Sequence, residues 1–511
     1  MSGPSRARRA AALTRRREAA LRLDLLPGRL AGSAARGVAT TLGGQFGRFG
    51  LQVLATVVLS RLLERQDFGL MAMTTAVLGL AQLLSELGLS TATAARQQIT
   101  HAQVNALFWI QATIGVIVAL LAVLLAPAVQ AFYGVDQVAV VVSALAVTFA
   151  LRGASAQHQA LLERRLQFRR LARVELVSSA VSTAAAITVA LLGGGMWALV
   201  TLNVSYVLAR SLQLWKASGW RPGPPRRAAG LWSLLTFGGH LSVFNVVNYT
   251  ARNADNVLIG RFVGADALGL YDRAYRLLML PLQQVNGPVS RVAVPTLSRL
   301  VHEDARLRRY YVTAVGGVSL ASMPLMAVAA VLASPLVVVV LGDQWAPAAP
   351  IFRALAIVGL VDTVAQTNGW LYSATGRTKQ QAQWALISRP LVVLGFIAGL
   401  PWGPLGVAIG YAVVGIALTV PGFAWSVHGT PVTLTDISRA AAPAIVVSMA
   451  TATVAGAVQW TLRDASVHLV AAASGGAAAA AYVLMATRWP PARSRLAPLL
   501  ISLRSRSLPV T

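Results

Sequence analysis

Apolar stretches of roughly 18 to 25 residues recur along the whole chain, and each matches the length an α-helix needs to cross a hydrocarbon core about 30 Å thick. Val104 to Leu125 and Thr313 to Leu332 are two of them. Membrane strands would alternate apolar and polar residues, so a barrel is excluded. Only 12% of the 511 residues are charged and 56% are apolar, whereas soluble domains are about a quarter charged. The solvent of this chain is therefore largely lipid, and its expected fold class is an all-α membrane protein.

Cutting the sequence at loops with Pro, Gly and charge predicts about 14 spans. Val38 to Ser60, Phe68 to Leu89, Asn105 to Ala126, Val138 to Ala156, Val174 to Leu192 and Met196 to Trp215 make a first bundle of six, residues 38–215. After a cytoplasmic linker, 216–230, the second bundle, 231–426, holds Leu231 to Tyr249, Ala274 to Leu297, Thr313 to Ala333, Pro350 to Ser373, Trp384 to Leu400 and Pro404 to Ser426. Two further helices, Ile437 to Trp460 and Val467 to Thr487, occupy 437–487 and precede a basic tail, 488–511. The basic N-tail, 1–37, reads either as a helix lying on the membrane surface or as a disordered segment. Gln159 to Arg173, with leucines among arginines, reads as an interfacial helix on the cytoplasmic leaflet.

The formal net charge of +27 would point to nucleic acid in a soluble domain. Here the arginines sit in tails and loops, where anionic lipid is the expected partner and no nucleic acid is implied. With both termini cytoplasmic, roughly 31 Lys and Arg lie inside against about 6 outside, which sets the orientation. There is no cysteine, and no His pairing suited to zinc, so neither a cofactor nor a metal is expected. No G-x-x-x-x-G-K-[ST] motif is present, and the short loops leave no room for a soluble catalytic domain. The chain reads as a non-enzyme.

An internal repeat organises the spans. Thr41-Leu42-Gly43-Gly44 corresponds to Thr236-Phe237-Gly238-Gly239, and Arg61 with Gly69-Leu70 to Arg261 with Gly269-Leu270. Pro127 and Gly134 match Pro335 and Gly342, Ala144-Leu145-Ala146 matches Ala354-Leu355-Ala356, and Trp197 to Val200 matches Gly406 to Ile409. The offset stays near 200 residues, six spans, so the repeat is parallel, as in transporters built from two related bundles.

Ionisable groups inside spans are costly unless they face a cavity or a partner. Gln45, Arg48 and Gln52 fall on one face of the first helix. Asn245, Asn248, Arg252 and Asp255 do the same at the start of the second half, and Arg273, Arg276, Gln283, Gly287 and Arg291 continue the pattern in the next helix. Arginine suits an anionic ligand, because its planar fork binds phosphate in a bidentate manner. The candidate substrate-binding set is Arg48, Gln45, Gln52, Asn248, Arg252, Arg276 and Arg291; Glu86, Asp255 and Asp362 are candidates for ion coupling. An internal salt bridge between Arg252 and Asp255, and snorkelling of Arg291 to headgroups, remain open alternatives. Gly193-Gly194-Gly195 reads as a tight turn, and Gly43 with Gly47 as a helix-packing spacing.

Several motifs carry a resemblance to a known family. Thr41 through Phe68-Gly69-Leu70 and Glu86-Leu87-Gly88-Leu89 to Gln97-Gln98, then Arg252-Asn253-Ala254-Asp255-Asn256, Leu268-Gly269-Leu270-Tyr271, Val294-Pro295-Thr296-Leu297 and Gly342-Asp343-Gln344-Trp345, resemble Wzx-type lipid-linked oligosaccharide flippases. The match is to their polysaccharide-transporter branch, in the superfamily that includes multidrug MATE exporters and lipid II flippases. The resemblance implies 12 to 14 helices in two bundles around a cationic cavity. It also implies flipping of an isoprenoid-diphosphate-linked glycan to the outer leaflet by alternating access, without covalent chemistry. Expected partners are that glycan lipid, membrane lipids, a polysaccharide polymerase and glycosyltransferases, and the expected location is the bacterial cytoplasmic membrane. Asp272 departs from the neutral residue that relatives often carry. A MATE-like ion-coupled drug antiporter is the main alternative, and a non-transporting scaffold the other.

Overall fold

The structure, a computed structural model, describes residues 45, 47–86, 93, 99–225, 249, 250 and 252–493, excepting the side chains of 84–86, 284, 285 and 288. The N-tail, the tail beyond 493, the span Leu231 to Tyr249 up to its last residue, and the Thr41–Gly44 and Thr236–Gly239 anchors lie outside the described residues. Helix is the only regular secondary structure among those described.

The chain divides into two compact units, Met1–Asn253 and Ala254–Thr511. The first holds α1 (47–62), α2 (Arg65–Glu86), α3 (His101–Tyr133), α4 (Gln137–Arg164), α5 (Phe168–Leu191) and α6 (Met196–Ser218). The second holds α7 (Ala254–Phe262), α8 (Ala265–Arg299), α9 (Asp304–Val331), α10 (Ala333–Leu341), α11 (Ala349–Ala365) and α12 (Asn368–Ala374). It continues with α13 (Thr378–Gly399), α14 (Gly403–Val427), α15 (Leu434–Thr461) and α16 (Val467–Arg488). Eight segments among the described residues are long and apolar enough to cross a membrane. In α3, Leu120, Leu121, Leu124 and Leu125 are all exposed, Leu124 by 74%. A contiguous apolar face of that kind is stable only against lipid, so this is a multi-pass membrane protein.

Local signals set the helix ends. Thr100 and Gln103 form a reciprocal capping box at the start of α3, which stops at Gly134 with φ 69°. Its repeat partner Gly342 ends α10 at φ 106°. The glycine turn after α5 is present, with Gly193 and Gly195 at positive φ. The matched repeat positions Leu145 and Leu355 are both buried, as are Ala198 and Val407.

Within each unit the helices approach through glycine. A Cβ on Gly153 of α4 would run into the Gln111 carbonyl of α3, and one on Gly115 would meet that of Phe149. Between α13 and α14, Gly399 faces Gly406 and Gly395 faces Gly410, each close enough that a Cβ on Gly399 or Gly410 would collide with the opposite backbone carbonyl.

Two arginines perform one task in both halves. Arg165, in the turn after α4, donates to the Ser218 carbonyl at the end of α6 at 3.0 Å. Arg377, in the turn after α12, donates to the Ser426 carbonyl at 2.8 Å and to that of His428 at the end of α14. Each cation meets orphan carbonyls at a helix C-terminus, where the macrodipole is negative. The chain leaving α6 is then strapped to α3. Asn105 accepts from the Gly223 amide and donates to the Pro224 carbonyl, both at 2.7 Å, and Trp109 donates to the Gly223 carbonyl at 2.8 Å.

Two expectations need correction. Gln159 to Arg173 is not an interfacial helix: it is the end of α4, a turn and the start of α5. Leu161 and Leu162 are fully buried in their own unit, and Leu166 in the turn takes φ 53°. The span Pro350 to Ser373 is broken, α11 ending at Ala365 and α12 starting at Asn368. Polar residues occupy the break, where Tyr311 and Thr367 share a hydrogen bond and Ser426 donates to Asn368.

Candidate substrate site

In the first unit, Gln45 is partly buried on the opening helix while Arg48 and Gln52 are exposed. Arg48 has a partner that its sequence neighbours do not reveal. Its Nη1 lies 3.2 Å from Oε2 of Glu175 on α5, and its side chain stays 52% exposed. Glu175 is the centre of a larger cluster. Arg210 Nε donates to its Oε1 at 2.7 Å and the Tyr206 hydroxyl donates to its Oε2. The other arm of Arg210 reaches Gln159 at 2.7 Å, and Gln159 donates to Glu163 at 2.7 Å. Three helices, α4, α5 and α6, thus contribute to a braced carboxylate onto which α1 leans. Glu175, Tyr206 and Arg210 were absent from the sequence-derived set. The available signal was one carboxylate and one arginine standing inside two consecutive spans.

In the second unit α8 is a single helix of 35 residues, and Arg273 departs from the expected stripe, its side chain only 12% exposed beside Asp272. Arg276, Gln283 and Arg291 are exposed along it. Arg291 Nε folds back toward the Gly287 carbonyl at 3.4 Å. Asp272, buried, accepts from Arg273 at 2.8 Å and from Arg276 at 2.7 Å. The departure at Asp272 therefore places one carboxylate between two guanidiniums, leaving a net positive group whose exposed member is Arg276.

The acidic candidates have different surroundings. Asp255 is buried and accepts from the Tyr271 hydroxyl at 2.9 Å and the Asn256 amide at 2.8 Å. Tyr271 stacks on Tyr275 with centroids 6.4 Å apart. Asp362 accepts from Gln366 at 3.2 Å, and Gln366 in turn accepts from Asn286 of α8 at 3.1 Å, tying the helix break to the α8 stripe. Arg252 is exposed. Asn248 and the Glu86 side chain lie outside the described residues. Among the described residues, no group of three His, Cys, Asp or Glu side chains could hold a metal ion.

A multi-pass helical membrane protein with repeat-related units and arginine-rich polar faces belongs among transporter folds rather than receptors with soluble domains. The fold resembles that of a solved lipid II flippase, MurJ in its inward closed conformation, with a TM-score of 0.70 and 12% identity over 90% of this chain and 99% of that one. The model of the family described as polysaccharide biosynthesis protein matches residues 58–350, more than half of the sequence, and the chain belongs to that family. It is 27% identical over 339 residues to the teichuronic acid biosynthesis protein TuaB of Bacillus subtilis (strain 168), covering 66% of this chain and 70% of that protein. It is 25% identical over 381 residues to the lipopolysaccharide biosynthesis protein WzxC of Escherichia coli (strain K12), covering 73% and 76% respectively.

Proposed function

We propose that this protein is a flippase that moves an isoprenoid-diphosphate-linked oligosaccharide from the cytoplasmic to the outer leaflet by alternating access, for cell-surface polysaccharide assembly. Membership of the polysaccharide biosynthesis family carries the reading. The excess of guanidinium over carboxylate on the exposed polar faces supports a diphosphate headgroup rather than an organic cation. Arg48, Gln45, Gln52, Asn248, Arg252, Arg276 and Arg291 are the residues that bind the headgroup. The glycan occupies the wet face and the isoprenoid tail stays in lipid. Transport requires no covalent step. The protein lies in the cytoplasmic membrane with both termini inside, and Glu86, Asp255 and Asp362 are the groups through which an ion would couple.

The test is reconstitution in liposomes with a fluorescent isoprenoid-diphosphate oligosaccharide, following its exposure to an external quencher. Protein-dependent flipping that falls at least tenfold in Arg48→Ala is expected. Absence of flipping together with proton- or sodium-driven export of organic cations would replace this reading by the antiporter.

A further inference from the structure

The Arg48–Glu175 contact is asymmetric. Both carboxylate oxygens of Glu175 already have hydrogen-bond donors without Arg48: Oε1 has Arg210 at 2.7 Å, and Oε2 has the Tyr206 hydroxyl. Arg210 is 18% exposed and is itself held by Gln159, so this arrangement is braced from two sides. Arg48 is the third and most distant partner, at 3.2 Å, and it is the exposed one, at 52% against 23% for Glu175. Removing Arg48 leaves a carboxylate that is still neutralised and still hydrogen-bonded, so the penalty for an unpaired buried charge does not arise. Removing Arg210 leaves it with an exposed, loosely held cation. The two arginines on one carboxylate therefore differ in kind: one belongs to the fold, and the other is free to leave.

We propose that Glu175 is a parking site for Arg48, and that an anionic diphosphate headgroup takes up Arg48 by displacing it from Glu175. This rests on the headgroup reading of Arg48 given above and adds to it a built-in competitor. Glu175 holds the empty site's arginine in place, prevents it from pairing with stray anions, and weakens headgroup binding so that release at the far leaflet is not rate-limiting. Glu175 is thus a positioning residue whose charge opposes binding, the reverse of what a carboxylate in a purely supporting role would do.

The experiment measures binding of two probes, farnesyl diphosphate and inorganic pyrophosphate, to the full-length protein in nanodiscs. The variants are Glu175→Gln, Arg48→Gln and the double substitution, with the apparent unfolding midpoint of each recorded alongside Arg210→Gln. Glu175→Gln is expected to tighten both probes three- to tenfold, Arg48→Gln to weaken them about tenfold, and the double variant to bind like Arg48→Gln alone. The midpoint of Arg48→Gln is expected to stay at the wild-type value while that of Arg210→Gln falls. Weaker binding in Glu175→Gln, a gain that persists without Arg48, or an Arg48→Gln midpoint as low as that of Arg210→Gln would overturn the proposal and leave the headgroup reading standing. Tightening for farnesyl diphosphate alone would also overturn it, since the displaced contact is with the diphosphate. Wild-type protein that binds neither probe would overturn the headgroup reading and this inference with it.

Discussion

Charged side chains divide by what they touch. Arg165 and Arg377 are counted among cytoplasmic charges by any orientation rule, yet both are spent on carbonyls at the ends of α6 and α14. Charge-assisted bonds of that kind contribute about 1.5 to 3 kcal/mol, less where water competes. Arg377→Ala is therefore expected to cost about 1 to 2 kcal/mol and to lower the apparent unfolding midpoint in detergent, with headgroup binding unchanged. Asp272 presents the opposite case. It is buried beside Arg273, which is itself largely buried. Asp272→Asn removes the negative charge that Arg273 and Arg276 share and is expected to lower the apparent unfolding midpoint, a loss that Arg273→Met partly restores. The stripe on α8 was legible because helical spacing puts Arg276, Gln283 and Arg291 on one side. The partner of Arg48 was not, because Glu175 comes from a helix far along the chain and only packing brings it near.

At the scale of elements, the close helix pairs depend on the absence of side chains. Gly395 and Gly399 on α13 meet Gly406 and Gly410 on α14 at backbone distance, and in lipid such packing replaces the hydrophobic drive that soluble helices enjoy. Gly410→Val is expected to force the pair apart, with a loss of about 1 to 3 kcal/mol from overpacking. Protein yield in membranes and the unfolding midpoint both report it, and Gly475→Val on α16, where nothing lies close to the added atom, serves as the neutral control. Element boundaries show the same division between local and distant causes. The end of α3 was expected at Ala126, yet the helix runs through Pro127 to Tyr133 and stops at Gly134; the break between α11 and α12 was not expected either. No Gly or Pro stands at 366 and 367; the hydrogen bonds that Gln366, Thr367 and Asn368 make to α8, α9 and α14 hold it open. Such breaks recur where transporters line a cavity.

For the molecule as a whole, the direction of transport has an electrical argument. Moving a headgroup bearing roughly two negative charges out of a negative interior releases about 2.3 kcal/mol per charge per 100 mV. Collapsing the potential in the liposome assay is accordingly expected to slow outward flipping at least tenfold. An unchanged rate would shift attention to ion coupling through Asp255 and Asp362, for which Asp362→Asn would then abolish the dependence on the coupling ion. Length, hydropathy, matched motifs and the placement of Lys and Arg along the chain were enough to indicate a lipid solvent, an all-helical class, the internal repeat and the basic bias of the loops. Each is a property of composition within twenty-odd residues, or of one segment compared with another, and none depends on how helices rotate about their axes. Which arginines bind carbonyls, which share a carboxylate and which stand exposed was decided by tertiary packing alone. A helix of 3.6 residues per turn turns its polar side chains toward whichever neighbour its apolar and glycine faces dock against, and that neighbour is chosen by the fold.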